Sequence, residues 1–71
     1  NKREKQILSW VEENLIDELT VKLILEQMPD DYDIKESTLR KYLKKFEEEI
    51  RKIESRRDGR FKKYKLLSNI G

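Results

Sequence analysis

Residues 53–66 read IESRRDGRFKKYKL, and the fold turns on whether Asp58-Gly59 closes a β-hairpin or interrupts a long charged helix. Asp-Gly is a strong two-residue turn signal, because a type I′ turn needs positive φ at both central positions. Centring the turn on residues 58–59 pairs Arg57 with Arg60, Arg56 with Phe61, Ser55 with Lys62, Glu54 with Lys63 and Ile53 with Tyr64. Ile53 and Tyr64 then share a face with Leu66, Glu54 opposes Lys63 as an ion pair, and Arg56 lies on the Phe61 ring. Only the Arg57–Arg60 pairing is repulsive, and an electronegative partner would account for it.

The rival is a continuous helix. Leu39, Leu43, Phe46, Ile50 and Ile53 are spaced four, three, four and three apart, the seam of a heptad repeat. The seam covers barely two heptads and then meets Arg57 and Arg60, short of the three or four heptads a coiled coil needs. The hairpin is the better reading, and it is expected over about 52–67.

Upstream, IKESTLRKYLKKFEEEI predicts a third helix over about 34–50. Leu39, Leu43, Phe46 and Ile50 fall within about 40° of one another at 100° per residue. Ser37, Lys41, Lys44 and Lys45 lie roughly opposite, with Thr38 and Arg40 at the flanks. The outer face is basic early and acidic at Glu47, Glu48 and Glu49. Lysines ahead of glutamates oppose the helix dipole, and a polyanion bound near the first turns would explain that order.

The preceding PDDYD reads as a turn, since proline fixes φ and aspartates bond nearby backbone. Its three carboxylates lack the glycine and spacing of a calcium loop. Asp33 and Glu36 have the spacing of a capping box for the third helix. A second helix over about 21–28 is expected between the Thr20 N-cap and Pro29, with Ile24, Leu25 and Met28 inward and Leu23 joining them. A first helix over about 2–17 has Ile7, Leu8, Val11 and Leu15 on one stripe and Trp10 at its edge.

The 71 residues amount to one domain. A core this small buries roughly 60–65% of the unfolded chain's surface and leaves a few kcal/mol of stability. A chain beginning with Asn1 rather than Met is expected to be a domain cut from a longer protein. Absence of Cys removes disulfides and thiolate metal sites, and absence of His removes the commonest general base. With no Gly-rich phosphate loop either, neither catalysis nor a cofactor or metal is expected. No apolar run approaches a membrane span and no signal peptide is evident, so an intracellular module is expected. Heavy Lys and Glu use gives the surface a thermophile-like composition.

The net charge of +2 hides a division. Residues 1–34 hold four basic and nine acidic side chains, a net of −5, and residues 35–71 hold thirteen basic and six acidic, a net of +7. The folded domain should therefore have one acidic and one basic end.

Three helices followed by a basic hairpin resemble the winged helix-turn-helix DNA-binding domain family. The resemblance rests on STLRKYLKKFEEE followed by IESRRDGRFKKYKL: a Ser-Thr-apolar opening, a Leu-rich inner face, a Glu run, an Asp-Gly tip and a Tyr-x-Leu closing strand. It implies a small α+β fold, a three-helix bundle with a helix-turn-helix and a C-terminal β-hairpin wing. It also implies duplex DNA as partner, with the third helix in the major groove and the wing on backbone or minor groove. Ser37, Thr38, Arg40, Lys41, Lys44 and Lys45 would then face the groove, and Arg56, Arg57, Arg60, Lys62 and Lys63 would form the wing contacts. Two departures stand out: Ile50-Arg51 replaces the glycine that often follows the Glu run, and the link between helices two and three is long.

The role implied is that of a transcription regulator or replication protein, cytoplasmic and nucleoid-associated or nuclear. The alternative is a winged-helix protein-interaction module using the acidic face of the first helix, with Glu12, Glu13, Asp17 and Glu18. A homodimer, or contact with other domains of a parent protein, would use the first helix or the tail from Leu66 to Ile70. RNA is the weaker nucleic-acid reading. Of Tyr42, Phe61 and Tyr64, only Phe61 is spared by the expected core and set among basic residues.

Overall fold

The structure is a computed structural model that describes residues 2–67; Asn1 and residues 68–71, with the Ile70 of the apolar tail, lie outside the described residues. Three helices, α1 (Lys2–Asn14), α2 (Val21–Gln27) and α3 (Glu36–Lys45), pack with strands β1 (Leu19–Thr20), β2 (Ile53–Asp58) and β3 (Phe61–Leu66). The strands form one antiparallel sheet in the order β1-β3-β2. The protein is a small α+β fold compatible with a winged-helix layout. Among the described residues no helix is long and apolar enough to cross a membrane.

Helix α1 buries Ile7 and Val11, and Leu15 follows them into the core, while Leu8 and Trp10 pack half-buried at its margin. It stops three residues short of the expected end. The Asn14 side chain donates to the Trp10 carbonyl at 2.8 Å, satisfying one of the acceptors a helix end exposes. Thr20 has two roles. Its hydroxyl accepts from Leu23 N–H at 3.3 Å as the N-cap of α2, and its backbone pairs with Lys63 in the sheet.

The inner stripe of α2 is Val21, Ile24 and Met28, with Leu25 half-buried. Leu23, expected inside, is 44% exposed. The stripe runs i, i+3, i+7 from Val21, and that turns position 23 outward. The expected capping box is also absent. Asp33 takes a left-handed conformation (φ 45°, ψ 56°), and Lys35 stands at the N-cap of α3 without a side-chain cap bond. Asp33 N–H closes a short 3₁₀ turn on the Asp30 carbonyl, 3.1 Å. Arg3 of α1 donates to the carbonyls of Tyr32 and Asp33, tying the turn to the first helix.

Leu39, Leu43 and Phe46 of the third helical segment are buried, and Ile50 is half-buried. Regular α3 gives way to a wider π turn over Phe46–Ile50. Arg51 then stops the helix with φ 59° and ψ 43°, the left-handed conformation usually left to glycine. Lys52 N–H returns to the Phe46 carbonyl at 3.0 Å. The chain reverses here, so no rod runs on through Gly59.

The hairpin forms, with its turn one residue later than expected. Asp58 pairs with Phe61, Arg57 with Lys62, Arg56 with Lys63, Ser55 with Tyr64, Glu54 with Lys65 and Ile53 with Leu66. Gly59-Arg60 is therefore the two-residue loop. Only Gly59 has positive φ, +66°, the sign pattern of a turn with glycine first, type II′, rather than type I′. The expected pairings are all displaced: Arg57–Arg60 repulsion does not arise, Glu54 opposes Lys65, and Arg56 does not lie on Phe61. Ile53 and Tyr64 are still buried on one face with Leu66 beside them, because the slip of one residue on both strands keeps that face.

Candidate nucleic-acid interface

Side chains alternate across a strand, and directly paired residues share a face. The wing therefore has two differently charged sides. Arg57 and Lys62 extend the side that carries Ile53 and Tyr64 into the core, reaching past the core toward α2 and α3. Arg56 and Lys63 occupy the opposite side. Both pairs set like charges opposite each other, which opposes folding unless something answers them.

On the outer side, carboxylates answer. Glu18 takes both Arg56 nitrogens in a fork, Nε–Oε2 2.6 Å and Nη2–Oε1 2.8 Å. Asp58 receives Lys63 Nζ at 3.0 Å. The hydrogen bond from Arg56 holds the Glu18 carboxyl below its ordinary range, and the one from Lys63 does the same to Asp58. Glu18 in turn raises Arg56.

On the inner side, among the described residues, no ion pair involves Arg57, Lys62 or Arg60 at the tip. Lys62 Nζ lies 5.5 Å from the centroid of the Tyr64 ring, a cation–π distance. These three residues, with Phe61 and Tyr64, form one wall of a groove of about 540 Å³. The other walls are Thr20, Val21, Lys22, Leu23 and Glu26 of the α2 region and Glu36 and Arg40 of α3. Five cations and two carboxylates line it. One of those carboxylates, Glu36, is held by Arg40, Nη2–Oε2 2.8 Å.

The expected site residues thus divide. Arg40, Arg57, Arg60 and Lys62 converge on the groove. Ser37, Lys41 and Lys44 are exposed on the outer surface of α3, at helical angles that follow on from Arg40. Lys45 turns away to α1, where Glu4 receives Nζ at 3.0 and 3.1 Å and that bond raises the lysine's pKa. Thr38 lies on the same flank as Lys45 and is half-buried. Arg56 and Lys63 belong to the outer side of the wing. Tyr42 stacks on Phe46, centroids 6.1 Å apart, and so belongs to the packing.

Two further observations revise the charge reading of α3. The regular helix ends at Lys45, so Lys44 and Lys45 occupy its last turn, where cations favour the dipole. Of the three glutamates that follow, Glu47 accepts a 2.5 Å hydrogen bond from Ser55 and fastens the π turn to β2. Lys22 and Leu23 were not expected at the groove. Starting the α2 stripe at Val21, directly after the Thr20 cap, would have turned both outward.

Compared with protein-family models, curated proteins and solved structures, the chain matches none.

Proposed function

We propose that this chain is a winged helix-turn-helix domain that binds duplex DNA. In this reading α3 enters the major groove and the wing lies along backbone or minor groove, within a transcription regulator or replication protein acting inside the cell. One observation carries the reading: Arg40 of α3 and Arg57, Arg60 and Lys62 of the wing line a single groove, and among the described residues those three wing cations have no ion pair. Arranging like charges in this way costs folding energy, and a polyanion recovers it. Phosphate contacts from the wing would supply sequence-independent affinity, and Ser37, Arg40, Lys41 and Lys44 would read base edges.

The test is binding to random duplex across a salt series. Neutralising about six phosphates gives a slope of log K against log salt near −5. A slope near −1, or no binding at micromolar protein in low salt, overturns the reading.

A second reading, a protein-interaction module, is favoured by Ile16. This side chain is 86% exposed beside Asp17 and just beyond the exposed Glu12 and Glu13. An apolar side chain at an acidic corner suits a basic protein partner. Loss of duplex binding in every wing variant leaves this surface untouched, so substitution of Ile16 by Ser separates the two.

A further inference from the structure

Four large apolar side chains are exposed among the described residues: Ile16, Leu23, Phe61 and Leu67. Two of them, Leu23 at 44% and Phe61 at 62% exposure, line the same cationic groove. Neither contributes much to the core. Phe61 is the first residue after the turn and pairs with Asp58, so strand alternation gives it the parity of Lys63, and it borders the groove from the turn end of the hairpin. Leu23 stands on the α2 wall, beside Lys22.

We infer that this groove is a nucleotide subsite for an unpaired base, so that the preferred ligand is a duplex with a single-stranded extension. The inference rests on the DNA-binding reading above and specifies the form of DNA. A base has an apolar, polarisable face and is tied to a phosphate on each side. Phe61 offers a ring for stacking, Leu23 an apolar wall, and Arg57, Arg60 and Lys62 the charges for the flanking phosphates. A volume of about 540 Å³ lies in the range of small-ligand sites. A paired base inside the duplex presents only its edge and cannot stack on Phe61, so an intact duplex leaves this apolar surface in water. The cationic excess of the lining identifies the occupant as part of a polyanion rather than a neutral apolar ligand.

The experiment compares fluorescence-anisotropy affinities for a blunt duplex and the same duplex carrying a short single-stranded overhang. Base–aromatic stacking of ordinary strength makes wild-type protein prefer the overhang by roughly 5- to 100-fold. Phe61→Ala removes an exposed ring and abolishes the preference, while affinity for blunt duplex stays within about twofold of wild type. Phe61→Trp restores it. A 2-aminopurine at the first unpaired position is quenched by wild type and by Phe61→Trp, and stays bright with Phe61→Ala. Equal wild-type affinities for the two DNAs overturn the inference and leave duplex binding standing. So does an equal loss for both DNAs in Phe61→Ala. Failure to bind either DNA overturns both readings together.

Discussion

Arg57 and Lys62 are direct cross-strand partners on the inner side of the wing, and among the described residues neither is matched by a carboxylate. One residue away, Arg56 and Lys63 are also partners, and Glu18 and Asp58 neutralise them. The same ribbon thus has a side completed by the protein's own acids and a side left cationic.

That contrast separates the wing residues by effect. Arg57→Ala and Lys62→Ala should each flatten the salt slope of duplex binding by about 1 and weaken all sequences alike. Arg56→Ala should leave the slope nearly unchanged and show its effect in the thermal midpoint instead. Salt titrations of the three variants, with melting curves alongside, check both halves.

Glu18 should titrate below its ordinary 4.5, because the Arg56 hydrogen bond favours the carboxylate. A depressed carboxyl contributes its stability in full above 4.5 and loses it as pH falls through the folded value. The loss therefore lies on the acid side of 4.5, and for Asp58, also lowered, on the acid side of 3.8. Carbon-detected NMR titration should show the Glu18 midpoint rising back toward 4.5 in Arg56→Gln. A midpoint that does not move would show that the fork does not persist in solution.

Two left-handed residues should respond in opposite directions. Arg51 (φ 59°) carries a side chain where glycine is at ease, so Arg51→Gly should raise stability by about 1 kcal/mol. Gly59 (φ 66°) has open space around an added Cβ. Gly59→Ala should therefore pay only the backbone cost, about 1–2 kcal/mol. Urea midpoints of both variants measure this.

Ile53 joins the wing to the helical core and is fully buried with Phe46, Leu39 and Leu43. Ile53→Ala should cost about 2–5 kcal/mol. In a domain this small that is enough to unfold much of the population at room temperature, which circular dichroism would register.

Long periodic segments were legible in the sequence. The core stripe of Leu39, Leu43 and Phe46 and the Asp-Gly hairpin each combine a repeating pattern with a turn signal. The hairpin register was not, because Asp-Gly fits both a turn centred on 58–59 and one that starts at Gly59. Strand β1 is two residues long and too short to carry a period. The division of the cations was hidden for a different reason. Glu4 and Glu18 reach Lys45 and Arg56 from 41 and 38 residues away, and no local pattern announces such pairs. Arg51 filled a position where glycine was looked for, and its neighbours in the chain did not reveal that it would end the helix.

The most direct test of the proposed interface is a ¹H–¹⁵N chemical-shift map of the domain titrated with duplex DNA at low salt. Perturbations should gather at Arg40, Lys41 and Lys44 on α3 and at Arg57, Arg60 and Lys62 on the wing, and fade as salt is added. Perturbations confined to the Glu12 and Glu13 face of α1, or to the Arg56 and Lys63 side of the ribbon, would contradict it.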